Sequence, residues 1–270
     1  MIAKDYVVFT SLFGDYESLN ELEIQKNQST RYVCFTDNPK LQSSTWEVCL
    51  VESPGIVDPA RASREVKMLG YKNFPVSTPT LYVDNSVKLK VDGSLIIDSW
   101  LKTGDVAFMH HYQRKTVRNE FFVCSAYGLD EQTKIWEQFK YYRKNFKYVL
   151  NQKPYWGGMI ARRDSVQTEK LMLEWKKQYD SFSKRDQLSI NVSSAISGVP
   201  INRIIASNAL SEWHEWPIKS NRKENLRQQK KWKRFGKLQV IFNAFFYGTR
   251  YFYPGLKNKN FSKAGDNFSE

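Results

Sequence analysis

A chain of 270 residues, 41% hydrophobic and 15% aromatic, can bury one large core and is too apolar to be a disordered segment. Its formal charge of +13 is uneven: residues 219–270 hold 13 Lys/Arg against 3 Asp/Glu, which leaves +3 for everything before them. A nearly neutral body with no recognisable reader motif argues against nucleic-acid binding, and three cysteines without a CxxC pair (Cys34, Cys49, Cys124) argue against a disulfide or zinc framework and read as buried free thiols.

The chain runs into a strand-like segment with no leader pattern, and no apolar run reaches the ~18 residues of a membrane span, so the expected compartment is the cytoplasm. Tyr6-Val7-Val8-Phe9-Thr10 and Tyr32-Val33-Cys34-Phe35-Thr36 are β-rich runs ending in polar loops and predict buried parallel strands. Leu19, Leu22 and Ile24 between them lie in a stretch too short to define a helix. Trp46 to Val51 predicts a third strand. Asp58-Pro59 supplies an N-cap and a first-turn proline ahead of Ala62, Val66 and Leu69, so a helix starts there. Thr80-Leu81-Tyr82-Val83 predicts the next strand and delivers Asp84 at its carboxyl end, where open α/β sheets bind ligands. Asp92-Gly93 reads as a hairpin turn, and Val106 to Met109 as another strand. Ile135, Phe139, Tyr142 and Phe146 repeat at helical spacing, and Val166 to Tyr179 predicts a second long helix with Met172 and Trp175 on its core face. Alternating strands and helices without an internal repeat predict a layered α/β domain.

Several groups along this frame suit chemistry, each beside a plainer reading. Asp84, followed by Asn85 and Ser86, fits a carboxylate holding a divalent cation on a diphosphate; a strand-end aspartate also forms turns. Arg61, Arg64 and Lys67 recur every three residues, which gathers them on one side of their helix as a diphosphate clamp or as a solvated basic face. His110, His111, Tyr112 and Arg114, with Glu120 after them, suit leaving-group stabilisation or proton transfer, or form an ordinary loop. Tyr155-Trp156-Gly157-Gly158 combines aromatic faces that suit sugar rings with glycines that let backbone approach a ligand, and equally makes a turn. Asp186, beside Gln187, either caps a helix or faces a reacting group. No Gly-x-Ser-x-Gly elbow and no H-E-x-x-H spacing is present, which places a lipid or amide hydrolase last.

In order, Pro59-x-Arg61-x-x-Arg64-x-x-Lys67, Tyr82-Val83-Asp84, His111-Tyr112-x-Arg114-x-x-Val117-x-x-Glu120 and Arg185-Asp186-Gln187-Leu188-Ser189 resemble the glycosyltransferase-like family first catalogued as domain of unknown function 616, with plant cell-wall and many bacterial members. With Thr10 to Tyr16 and Phe35-Thr36-Asp37, the similarity spans most of residues 1 to about 215. The resemblance implies an α/β, type-A glycosyltransferase fold: a Rossmann-like nucleotide half and an acceptor half around one mostly parallel sheet. It implies a nucleotide-diphosphate sugar as donor and a glycan or lipid-linked acceptor, in bacterial surface polysaccharide or cell-wall glycan synthesis. Thr10, Phe13, Gly14, Tyr16 and Asp37 would hold the nucleotide, with Arg61, Arg64, Lys67, Asp84 and Asn85 at its phosphates. Mn²⁺ or Mg²⁺ would sit at Asp84 and Ser86, with His214 either a late ligand or, on the plainer reading, a packed or surface histidine, although the family's second metal-binding aspartate is replaced in Asp84-Asn85-Ser86. Asp186 is the first candidate for the carboxylate that deprotonates the acceptor or steadies an oxocarbenium-like sugar, Glu120 the second; His111 and Arg114 would assist, and Trp156, Gly157, Gly158 and Gln187 would contact substrate. A non-catalytic nucleotide-sugar or glycan-binding relative is the alternative that the incomplete motif keeps open.

These words divide the chain into a catalytic domain, 1–218, and a basic extension, 219–270. From Lys219 to Lys237 the extension carries nine basic residues and Glu224 as its one acid, then continues into the aromatic stretch Leu238 to Phe246. Such a segment suits attachment to anionic lipid or a helix docked on the body with a solvated basic face. Nothing in the residues points to an oligomeric state.

Overall fold

The computed structural model describes residues 5–14, 17–51, 58–76, 78–218 and 237–252. Strands β1 (Tyr6–Leu12), β2 (Thr30–Thr36), β3 (Glu47–Leu50), β4 (Thr80–Val83), β6 (Val106–His110), β7 (Tyr155–Arg162) and β8 (Asn202–Ile204) form one sheet in the order β3-β2-β1-β4-β7-β6-β8. All run one way except β7, which is antiparallel to both β4 and β6. A small second ribbon pairs β5 (Lys88–Leu89) with β9 (His214–Glu215). This is the expected mixed α/β architecture with a mostly parallel central sheet.

Both faces of the sheet are buried at its middle strands β1, β4, β6 and β7, which are mostly apolar, whereas the edge strands β3 and β8 are partly exposed. Along β1, Val7 and Phe9 join a core with Val66, Leu171 and Trp175, while Val8, pointing the other way, joins one with Leu81, Ile96 and Trp100. The first core is closed by α1 (Pro59–Leu69) and α5 (Val166–Ser181), the second by α2 (Gly93–Trp100). A third cluster lies among α3 (Val117–Ala126), α4 (Gln132–Asn145), α6 (Ile190–Ser197) and α7 (Lys237–Phe252).

Local chemistry sets the helix starts. Asp58 accepts from Ala60 N with Pro59 in the first turn of α1, as the sequence predicts. Thr116 and Asn119 form a capping box on α3, and Ser165 caps α5. Asp92-Gly93 is not a hairpin turn: Asp92 caps α2. Gly157 and Gly158 lie inside β7 and not in a turn before it. The stretch with Leu19, Leu22 and Ile24 forms no helix and packs these side chains on the second core. Cys34 and Cys124 are buried free thiols as expected, whereas Cys49 is half-buried.

Chain order fixes where a ligand fits. From β1 the chain winds outward through β2 to β3, then returns to the opposite side of β1 as β4. The carboxyl ends of β1 and β4 therefore flank the point where the winding reverses, the preferred crevice of an open α/β sheet.

Candidate functional site

At that crevice β4 ends in Tyr82, Val83 and Asp84. Residues two apart on a strand share a face, and the Tyr82 hydroxyl accordingly donates to Asp84 Oδ1 at 2.7 Å. Burial, reinforced by Asp84, pushes the Tyr82 phenol well above its usual range, so it stays a proton donor. The opening beside them is lined by Ser11, Phe13, Ser63, Arg64, Tyr82 and Asp84.

Lys67 and Arg64, one turn apart on α1, reach the same place from above the sheet. Lys67 Nζ lies 2.7 Å from Asp186 Oδ2 and 3.5 Å from Asp84 Oδ1, and Arg64 Nε lies 3.3 Å from Asp186 Oδ2. Lys67 and Asp186 are nearly sealed, their side chains 2% and 4% exposed, while Asp84 and Arg64 remain open at 28% and 21%. Burial alone would raise the Asp186 carboxyl, but Lys67, Arg64 and Arg185 outweigh it and hold it far below the usual carboxylate range. Gly157 is what lets β7 pass: a Cβ there would lie 3.0 Å from Lys67 Nζ and 3.4 Å from Asp186 Oδ2. The Gly158 carbonyl accepts from Asp84 N at 2.8 Å and fixes the strand end.

A second carboxylate cluster adjoins the first. Arg114 Nε donates to Glu120 Oε2 at 2.8 Å, His111 Nε2 lies 3.9 Å from the same oxygen, and Cys124 Sγ is 3.5 Å from Oε1. Burial, opposed by Glu120, pushes the His111 imidazole down to about 4, so it is neutral at neutral pH. The half-buried Arg185, its Nε sealed, lies between the two clusters and feels Cys124, Asp186 and Glu120 together.

The structure thus gathers Arg64, Lys67, Asp84, Asp186 and Gly157, with Glu120, Arg114 and His111 alongside. Other expected positions serve the scaffold. His214 is not placed as a metal ligand: Nδ1 bonds Ser211 Oγ and Nε2 bonds Asn208 O, both at 2.8 Å, so neither ring nitrogen is open. Ser86 Oγ accepts from Trp216 Nε1. Asn85 is buried and spends its amide on Asn20 N, Ser18 O and Glu17, which pins the neighbouring loop. Trp156 offers no sugar platform, being buried with His214 stacked on it and Trp216 at its edge. Arg61 lies over the Tyr179 ring at 5.3 Å and not in the opening. Lys67 is committed to carboxylates, which leaves Arg64 as the accessible cation of the expected pair.

On the nucleotide side, Thr10 is buried within β1, and the Phe13 ring belongs to the core. Gly14, at φ 70°, turns the chain so that its N–H donates to Asp37 Oδ1 at 3.0 Å, which clasps the ends of β1 and β2 together. Tyr16 lies outside the described residues. Gln187 gives its backbone N–H to Asp186 Oδ1. Tyr82 and Arg185 stand in the matching motifs but the sequence assigned them no role; strand alternation with Asp84 and adjacency to Asp186 were the available signals.

Among the described residues no group of three His, Cys, Asp or Glu surrounds a metal position. Asp84 is open toward the cleft, and both hydrogen bonds that its carboxylate accepts from described residues fall on Oδ1. That donor set fits a hard cation held by one carboxylate, water and the oxygens of a bound diphosphate, and does not form an all-protein cage.

The model of the TOD1/MUCI70 glycosyltransferase-like domain matches residues 1–197. A curated relative, the probable hexosyltransferase MUCI70 of Arabidopsis thaliana, is 26% identical over 155 residues, 54% of this chain and 27% of the plant protein, so the match spans about a quarter of that relative's length. Among solved structures, mouse xyloside xylosyltransferase 1 in its apo form has a TM-score of 0.41 at 9% identity, over 74% of this chain and 85% of that one. The apo structure of the bifunctional glycosyltransferase WbbM has a TM-score of 0.42 at 11% identity, over 76% of this chain and 39% of that one. With nearly three quarters of its length matched by the family model, the chain belongs to the TOD1/MUCI70 glycosyltransferase-like domain family.

Proposed function

We propose that this chain transfers a sugar from a nucleotide-diphosphate donor to a glycan or lipid-linked acceptor, on the cytoplasmic side of a bacterial pathway for surface or cell-wall glycan. The observation that carries the reading is the ion network Asp84–Lys67–Asp186–Arg64 at the mouth between β1 and β4. Arg64 is oriented by Asp186 and keeps an exposed edge, so it can meet the diphosphate as charge accumulates there. Asp84, held by the Tyr82 hydroxyl, would seat a Mg²⁺ or Mn²⁺ ion, which when bound neutralises part of the leaving diphosphate's charge.

In the transfer the sugar C1–O bond to the diphosphate breaks, the acceptor oxygen bonds to C1, and the acceptor's proton passes to the departing phosphate or to solvent. Asp186 is a poor proton acceptor because its neighbours keep it ionised. Its role is therefore electrostatic: it holds Arg64 and Lys67 in place and stabilises positive charge growing on the sugar. Glu120 positions Arg114 in the adjoining cluster. Incubation with a panel of nucleotide sugars and Mn²⁺ tests this: release of nucleoside diphosphate by the wild type, lost in Asp84→Asn and Asp186→Asn, is the expected result. Release unaffected by both substitutions contradicts the assignment.

One observation favours a second reading, a non-catalytic nucleotide-sugar-binding relative: Asn85 and Ser86, where a second metal carboxylate would stand, are tied to the scaffold. Saturable binding of a nucleotide sugar without hydrolysis or transfer to any glycan would select it.

A further inference from the structure

Helix α7 carries two apolar faces, and one of them has a partner. Asn243 Nδ2 donates to Ala126 O at 3.3 Å, a Cβ at Gly248 would touch Phe122 at 3.6 Å, and the Tyr251 carbonyl accepts from Arg118 Nη1 at 2.9 Å. The pairs 243 with 126, 248 with 122 and 251 with 118 run in opposite senses, so α7 lies antiparallel along α3. Tyr251 is buried there against Phe122, Trp136 and Phe139. That contact fixes which side of α7 faces outward.

The outward side holds Leu238, Ile241, Phe242 and Phe245, spaced i, i+3, i+4 and i+7 along one stripe. All four are exposed, Leu238 by 84% and Phe245 by 86%. Scattered exposed apolar residues are ordinary; a continuous apolar stripe of this kind marks a surface that meets something. The helix contains no Asp or Glu, and the residues immediately before it, 219–236, carry eight Lys/Arg against Glu224 alone.

Charge and length choose among occupants. A second copy would carry the same excess of positive charge, a pairing that like charges disfavour. At 16 residues the helix is about 24 Å long, and no helix among the described residues is long and apolar enough to cross a membrane. Apolar residues on one stripe, a cationic run preceding the helix in sequence and no acid along the helix match a helix lying in the plane of an anionic lipid surface.

We propose that the outer face of α7 docks the protein on an anionic phospholipid bilayer, Leu238, Ile241, Phe242 and Phe245 entering the acyl boundary while the preceding basic run attracts the headgroups. This docking is independent of the reaction at the sheet edge. The test is co-sedimentation of the full chain with vesicles of phosphatidylcholine alone or mixed with phosphatidylglycerol. Binding to the mixed vesicles only, weakened by high salt, is expected. Ile241→Asp with Phe245→Asp should lower the partition coefficient at least about ten-fold, since insertion of two large apolar side chains is lost. The uncharged Phe245→Ser must shift binding in the same direction with its melting temperature retained, because the side chain it removes faces solvent. Wild-type protein that stays in the supernatant with both vesicles overturns the proposal. So does a double variant that binds like the wild type, or a vesicle-free dimer that the double variant dissociates.

Discussion

Asp92 and Asp186 are both buried aspartates, and both are held below the usual carboxylate range against the opposing effect of burial. Asp92 is satisfied by neutral donors brought from separate pieces of chain: Thr30 Oγ1 at 2.8 Å, Tyr32 OH at 2.7 Å, Asn27 N at 2.8 Å and Ser94 N at 2.9 Å. It ties β2 to the start of α2, and nothing beside it is left wanting a partner. Asp186 is balanced by cations, and one of them, Arg64, reaches an opening. A carboxylate completed by neutral donors finishes a fold; one balanced by cations at a cleft leaves positive charge able to meet another anion.

The comparison breaks most visibly at Asp186. Asp186→Asn should lower the rate of transfer by about 10²–10³-fold, and because Lys67 is then buried with reduced compensation, stability should fall as well. Adding Lys67→Met should recover part of the stability without recovering transfer, since the sealed ammonium is then gone as well. Urea unfolding and nucleotide-release assays on the single and double variants measure the two effects separately. If the double variant regains transfer, Asp186 belongs with Asp92 as a scaffold residue.

Asp92→Ala should show the reverse pattern. Five donors lose their acceptor, four of them buried (Thr30 Oγ1, Tyr32 OH, Ser94 N and Ser94 Oγ), at a cost of about 3 kcal/mol, while nucleotide affinity per folded molecule stays unchanged. A loss of affinity at full folding would merge the two classes.

Acid should separate the carboxylates from the histidines. His110, His111 and His214 all bind protons more weakly in the folded protein, chiefly because of burial. Their stabilising contribution is therefore fully present above the unfolded value of about 6.5 and declines as pH falls toward the folded values, about 4 for His111. For His111 the loss is up to about 3 kcal/mol. Asp92 and Asp186, whose carboxyls are depressed, keep their contribution above about 3.9 and lose it only as pH falls through their lower folded values. Urea midpoints should fall between pH 6.5 and 4, with a shallower slope in His111→Gln; an unchanged slope contradicts the burial argument.

The smallest expected effect is at Arg61. Its guanidinium lies over Tyr179 and outside the opening, so Arg61→Met should cost about 0.5–1 kcal/mol and leave nucleotide affinity intact. Affinity lost with Arg61 would return it to the clamp that the sequence suggests.

Much of the frame was legible in the residues because local rules and tertiary structure agree there. The Asp58-Pro59 start, the strands ending at Thr36 and Val83, and the long helix from Val166 are all in place. Asp92-Gly93 misled because a turn-forming pair is also a helix start, and only the distant Thr30 and Tyr32 reveal the choice. At the site, three-residue spacing put Arg61, Arg64 and Lys67 on one side of α1, but not how far each is buried: Arg61 finds Tyr179, Lys67 is sealed among carboxylates, and Arg64 stays half open. His214 and Trp156 carry chemistry-bearing side chains that the fold consumes in packing on each other. Arg185 was hidden because its partners, Glu120 and Cys124, come from a helix more than fifty residues earlier in the chain.

The central claim is that Arg64, oriented by Asp186 at the mouth between β1 and β4, receives the donor's diphosphate. Calorimetric titration of nucleoside diphosphates into wild-type protein and Arg64→Met, with Mn²⁺ present, tests it directly. One nucleoside diphosphate should bind the wild type, and Arg64→Met should weaken that affinity by about ten-fold or more when both proteins are titrated well below their own unfolding transitions. Equal affinity in the two proteins would place the diphosphate elsewhere.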